Sequence, residues 1–205
     1  MGTSFEHSKS NEYVGTQEQL LLERIQNGDK KAFADLVSDY EKPIYRICYR
    51  FFGNEEDSLD TVQEVFIKIY RYIGKFEGKS SLKTWIYRIA ANTCITAFEK
   101  KKKEKEGFFK VFSDWFNSFY QTSPEDQVIE RETSFLNVKT VTEKLSDLPE
   151  IYRMPVILKD IEGFSMDKIS EILEIPLGTV KSRINRGRAI LHDLLRPYYK
   201  GESYE

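Results

Sequence analysis

Four cations fall within eight residues near the C-terminal end, Lys181, Arg183, Arg186 and Arg188, and Thr179, Ser182 and Asn185 are interleaved with them. Charged groups of this kind neutralise phosphates, and the shorter hydroxyl and amide groups between them can hydrogen-bond base edges. The same run can also be the wet face of a helix that closes a small bundle. A second set is acidic: Asp57, Asp60 and Glu64 recur at threes and fours with Lys68 and Arg71, and Gln63 lies beside them. Clustered carboxylates can hold a divalent metal for phosphoryl chemistry, or they can simply form a solvated face. No His joins this cluster, and no Gly-rich loop nearby could cradle a phosphate.

The elements that must position these groups are helices. Leu177, Val180, Ile184, Leu191 and Leu194 or Leu195 share one stripe, so the cations take the other side. Pro176 suits a first helical turn, where its missing N–H has no partner to lose. Just upstream, Ser165 can cap a short helix with Ile169, Ile172 and Leu173 on its apolar face. Two short helices joined by a tight turn, the second basic on its open side, read as a helix-turn-helix, which lets the second helix enter a major groove. The acidic set rides on a helix from about Glu55 to Ile73, with Leu59, Val62, Phe66, Ile69 and Ile73 expected to face inward. Before it, Thr16 with Gln19 opens a helix to about Gln26. Asp29 then caps a longer one through Phe51, with a kink expected at Pro43 and a stop at Gly53. After it, Leu82, Trp85, Ile86, Ile89, Ala90 and Thr93 are expected to be buried, with Thr84, Tyr87, Arg88 and Asn92 facing outward.

Composition limits the class. At 40% hydrophobic and 31% charged residues, the 205-residue chain is long and apolar enough for one large or two small folded domains. Its 31 basic and 33 acidic residues leave a net charge of −2, so any nucleic-acid surface must be local and a partner must add affinity. Cys48 and Cys94 are too few and too far apart for a disulfide framework, and His7 and His192 make no zinc pattern. No metal site, cofactor or catalytic set is expected. No run approaches the ~20 apolar residues of a membrane span, and no apolar signal core opens the chain. A cytoplasmic, reducing location is the expectation.

Three motifs then carry a resemblance. GFSMDKISEILEIPLGTVKSRINRGRAIL is similar to the minus-thirty-five-reading segment of bacterial RNA polymerase sigma factors of the extracytoplasmic-function (ECF) class. DSLDTVQEVF resembles that family's core-polymerase-docking motif, and SSLKTWIYRIAAN resembles its minus-ten-reading segment. The resemblance implies an all-α fold of two small helical domains joined by a linker, the second containing the helix-turn-helix. The expected boundaries are a flexible tail over 1–15, an N-terminal domain over 16–99, a linker with an aromatic amphipathic segment over 100–124, and a C-terminal domain over 125–200. It implies that Asp57, Asp60, Gln63 and Glu64 meet core polymerase, a task suited to groups that can pair with Arg-rich helices. It implies that Phe76, Lys79, Ser80, Ser81, Thr84, Tyr87, Arg88 and Asn92 read an unpaired base of the minus-ten element, which offers its Watson–Crick edge and a π-face. Thr179, Lys181, Ser182, Arg183, Arg186 and Arg188 then meet minus-thirty-five DNA.

The implied partners are core polymerase, promoter DNA and an anti-sigma factor; the chain itself is no enzyme. The alternative is a helix-turn-helix regulator of another kind, with an N-terminal sensing or dimerisation bundle. Three departures from the family pattern stand out: Thr61 where the docking motif usually has an apolar residue, Ser170 where Ala is common, and Glu174 in the turn where Gly is common. A non-Gly residue at positive φ costs on the order of 1 kcal/mol. The aromatic segment from Phe108 to Tyr120 has three readings: packing on a domain, docking a regulator, or lying on a membrane surface.

Overall fold

The computed structural model describes residues 16–116 and 138–199, all helix or connecting turn, with no strand among them. Helix α1 (Thr16–Gln26) leads into α2 (Lys30–Phe52), whose N-cap Asp29 accepts from the backbone N–H groups of Lys31 and Ala32 at 2.9 and 3.1 Å. Helix α2 runs unbroken through Pro43 and ends at Gly53, which takes the left-handed conformation at φ 73°. Helix α3 (Glu55–Tyr72) begins at Asn54, whose side chain accepts from the Asp57 N–H. A 3-10 turn (Ile73–Lys75) and a short loop lead to α4 (Leu82–Phe116). The C-terminal half comprises α5 (Val138–Ser146), α6 (Glu150–Val156) running into a π-helical turn (Ile157–Ile161), α7 (Met166–Leu173) and α8 (Leu177–Tyr199).

The first part of α3 is rotated by one position from the expected register, whereas Ile69 and Ile73 are buried as expected. The helix's fully buried face is Ser58, Thr61, Val65 and Ile69, whereas Leu59 is 50% exposed and Val62 and Phe66 sit half-buried at the flank. Ser58 can be buried because its hydroxyl donates to the Asn54 carbonyl one turn back, within the helix itself.

Helix α4 is continuous through residues expected to open the linker. Its Lys- and Glu-rich stretch favours a helix without any burial, because both are good helix formers. The side chains of 104–116, including the aromatics from Phe108 onward, and all of 117–137 lie outside the described residues. The expected helix start near Asp126 lies outside them too.

One contiguous set of buried side chains runs through both halves of the protein, from Leu36, Ile44 and Phe51 to Leu145, Leu148, Met154, Ile169 and Ile184. Arg153 of α6 lies within it, 3% exposed. Its guanidinium donates to the carbonyls of Leu148 and Ser146 in its own half and to that of Phe51 in the other, at 2.5–3.1 Å. The rings of Phe51 and Phe98 lie 5.0 and 4.8 Å from it.

Candidate polymerase and nucleic-acid interfaces

The acidic stripe sits on the outer side of α3. Asp60, Gln63 and Glu64 are exposed, with Glu64 paired to Lys68 at 2.7 Å. Asp57 turns instead toward α4, where it forms an ion pair with Lys101 and accepts from the Asn54 amide at 3.2 Å. The hydrogen bond that Lys101 donates to Asp57 raises its ammonium above the ordinary value, so the lysine keeps its charge. Leu59, Ile67 and Tyr70 are also exposed on this helix. The sequence stripe had assigned Leu59 to the core; its spacing of eight from Ile67, with Gln63 midway, was the available signal that they share the outer face. Among the described residues, no group of three or more His, Cys, Asp or Glu side chains is placed to hold a metal.

The set on the loop before α4 and on its first turns is arranged differently from expectation. Phe76 packs against Trp85 with ring centroids 5.3 Å apart, so the Trp is half-buried rather than fully enclosed. Lys79 is exposed and paired with Glu77 at 2.5 Å, whereas Ser80 is 8% exposed. Ser81 caps α4: its hydroxyl accepts from the Thr84 N–H at 3.1 Å and lies 2.8 Å from the Thr84 hydroxyl. The outward orientation expected for Thr84 and Tyr87 is not found; they are 1% and 3% exposed.

The reason is tertiary. Helix α7 and the turn before it lie over this side of α4, so α4 is covered from two directions. The Tyr87 hydroxyl donates to Glu162 at 3.1 Å, and its ring meets Phe164 edge-on at 4.7 Å. Burial, with Glu162 beside it, pushes the Tyr87 phenol well above its ordinary value, so it remains a donor. Arg88 donates to the Glu171 carbonyl at 3.1 and 2.8 Å and lies 3.4 Å from the Glu174 carboxylate. Asn92 is exposed.

The helix-turn-helix forms as its residues dictate. Ser165 caps α7 by accepting from the Lys168 N–H at 3.2 Å. Glu174 takes the left-handed conformation that its place in the turn demanded, at φ 54° and ψ 40°. Ser170, also a departure from the family pattern, braces that turn by donating to the Ile175 carbonyl at 2.6 Å. On α8, Val180 and Ile184 are fully buried, and Lys181, Ser182, Arg186 and Arg188 are exposed. Arg188 is tied bidentately to Asp160, with its Nε 2.9 Å from one carboxylate oxygen. Thr179 and Arg183 are half-buried, and Arg183 lines a groove of about 230 Å³ with Ile95 and Glu99 of α4 and Glu150 of α6. Gly187 was not singled out from the sequence. It is buried where α8 crosses α6, and a Cβ there would lie 2.7 Å from Val156 Cγ2.

Comparison with known proteins covers both halves. The family profile "Sigma-70 region 2" matches residues 36–104 and "Sigma-70, region 4" matches 139–191. The chain is 39% identical over 181 residues to the ECF RNA polymerase sigma factor SigW of Bacillus subtilis, covering 85% of this chain and 95% of that one. It is 35% identical over 186 residues to the ECF RNA polymerase sigma-E factor of Haemophilus influenzae, covering 88% and 96%. Among solved structures, CnrH in complex with the cytosolic domain of CnrY has a TM-score of 0.61 at 20% identity, covering 87% of this chain and 97% of that one. The sigma factor RpoE with the anti-sigma factor NepR from Bartonella quintana has a TM-score of 0.62 at 23% identity, covering 81% and 98%. At those identities the likeness speaks to the fold. Among the described residues, no helix is long and apolar enough to cross a membrane.

Proposed function

Because this chain belongs to the ECF sigma factors of RNA polymerase, we propose that its three polar sets divide the work of promoter recognition among them. A sigma factor is not an enzyme: polymerase supplies the chemistry, and the sigma factor supplies promoter recognition and initiation. In this reading the outer face of α3 docks on core polymerase through Asp60, Gln63 and Glu64, with Leu59 supplying apolar contact. Asp57 contributes once Lys101 yields it or shares it. Phe76, Lys79, Ser80, Ser81, Thr84, Tyr87, Arg88 and Asn92 meet the opened minus-ten strand. Thr179, Ser182 and Arg183, at the N-terminal end of α8, read minus-thirty-five base edges, while Lys181, Arg186 and Arg188 contact phosphates. The domain division is the N-terminal one over 16–99 and the C-terminal one over 125–200, with the helix α4 extending beyond the first. An anti-sigma factor, of the kind bound to the Bartonella RpoE, is the expected third partner, and work on promoter DNA implies a cytoplasmic location.

The observation that carries this reading is the solvent-facing acid and amide stripe of α3, on a helix whose opposite side is buried, joined in one chain to a helix-turn-helix that exposes Lys181, Arg186 and Arg188. Run-off transcription with purified core polymerase tests it. Asp60→Arg should fold normally and fail to co-purify with core, because a like charge at a basic docking surface costs several kcal/mol. Undiminished co-purification would refute the docking face.

A further inference from the structure

The two cysteines of the chain, 46 residues apart in sequence, meet inside its N-terminal half. Cys48 lies on the inner face of α2 with Ile44, Ile47 and Phe51, and Cys94 lies on the inner face of α4 with Ala90 and Ala91. Both side chains are fully buried, and their sulfurs stand 3.6 Å apart. Neither belongs to the faces assigned above to polymerase or to DNA. Other small apolar residues could fill such positions; sulfur brings a reactivity that they lack.

We infer that Cys48 and Cys94 form a reversible oxidation site: a small hydroperoxide converts the dithiol into a disulfide that staples α2 to α4. Bonded sulfurs stand ~2.05 Å apart. Closing from 3.6 Å asks each sulfur to move by less than about 1 Å, which a modest rotation about its Cα–Cβ bond supplies. The chain has no third cysteine, so no other pairing within it competes.

With hydrogen peroxide as oxidant, one sulfur attacks as the thiolate, the O–O bond breaks, and a sulfenic acid forms while the departing hydroxide takes up the proton that the thiol released. The second sulfur then attacks the sulfenic sulfur; the S–S bond forms, and the S–OH oxygen leaves as water with the second thiol's proton. Two electrons pass from the sulfurs to the peroxide, which ends as two waters. Burial, with Cys48 beside it, holds the Cys94 thiol well above its ordinary value. The first attack therefore waits on a local opening that admits water and peroxide. Once it has occurred, the closed core holds the second sulfur against the first, which favours the disulfide over further oxidation.

The ring closed in this way contains residues 49–93, which include all of α3, the loop after it and the first turns of α4. Both sulfurs face inward, so Asp60, Gln63 and Glu64 keep their exposed positions. A cross-link across so long a loop removes freedom mainly from the unfolded chain, and the oxidised protein is then the more stable form.

The test treats the folded full chain with hydrogen peroxide, blocks free thiols with N-ethylmaleimide in urea, and digests with trypsin without reductant. The peptide 47–50 should appear joined to 89–100, two hydrogen atoms lighter than the two peptides together, from a chain that runs as a monomer on non-reducing electrophoresis. The melting temperature should rise by roughly 5–10 °C, and dithiothreitol should reverse both changes. Cys48→Ala treated in parallel should give neither, and its own change with peroxide isolates the effect of methionine oxidation. Cys94→Ala makes the same control from the other helix, and the linked peptide is read on the wild-type chain whether or not either variant folds. Thiols that stay free in the folded chain under peroxide, or sulfinic acid in place of the linked peptide, would overturn the oxidation site. A link found only in dimers, or one that forms without a rise in melting temperature, would overturn the staple.

Discussion

Arg153 offers the sharpest test of how the two halves hold together. Its guanidinium satisfies three backbone carbonyls, those of Ser146, Leu148 and Phe51, inside a region closed to water. Truncation in Arg153→Ala leaves all three without this donor, at about 1–3 kcal/mol each. It also removes a cation from beside two rings, a contact of roughly 0.5–2 kcal/mol. Against this stands relief of the cost of burying the charge, several kcal/mol, a cost also evident in the way burial pulls the Arg153 guanidinium below its ordinary value. Local relaxation and water entry recover part of the rest, so the expected net loss is about 3–5 kcal/mol. That is a large share of the ~5–15 kcal/mol that stabilises an ordinary domain. Arg153→Lys keeps the charge, but a compact ammonium cannot span acceptors in two domains or stack between rings, so its loss should be intermediate. Urea unfolding followed by far-UV circular dichroism gives the magnitudes, and amide hydrogen exchange near the C-terminal end of α2 shows whether the Phe51 carbonyl anchors the halves together. A loss below about 1 kcal/mol for Arg153→Ala, or Lys equal to wild type, would refute the reasoning.

Gly187→Ala should lower the melting temperature, because the new methyl would lie 2.7 Å from Val156 Cγ2 and 3.2 Å from Tyr152 Cβ, an overpacking worth ~1–3 kcal/mol; an unchanged melt would mean that α8 moves freely away from α6. In promoter titrations with the polymerase holoenzyme, Arg186→Ala should weaken all sequences alike and flatten the salt dependence by about one unit. Arg183→Ala should instead relax discrimination at one minus-thirty-five position by ~1–3 kcal/mol, and matching sequence profiles for the two variants would contradict the division of roles. Asp29, held below the ordinary carboxylate value first by the Ala32 N–H and then by Arg24, stabilises the α2 start above the ordinary carboxylate range. That contribution fades as pH falls through its lowered value, so the melting temperatures of wild type and Asp29→Asn should differ at neutral pH and converge in acid; a gap that persists unchanged in acid would refute it.

Much of this protein is written in short-range sequence. The caps at Asp29 and Ser165, the stop at Gly53, the left-handed turn at Glu174 and the apolar stripe of α8 follow from backbone hydrogen-bond needs and a 3.6-residue period, both of which act within a few residues. Solvent exposure was legible where a charged or amide side chain settled the matter, as at Asp60, Gln63, Glu64 and Arg186. Periodicity failed where side chains are amphipathic. Ser58 could take the core of α3 while Leu59 stayed outside, because its hydroxyl, bonded to the Asn54 carbonyl within its own helix, costs little to bury. Thr84 and Tyr87 read as outward because their polar atoms suit water; they are inside because Ser81 and Glu162 satisfy those atoms. Glu162 lies 75 residues from Tyr87 and 116 from Arg46, and no local pattern specifies a contact at that separation. Only the docking of one helical domain on the other decides which polar groups find partners there, and therefore which side chains of α4 stay exposed to water.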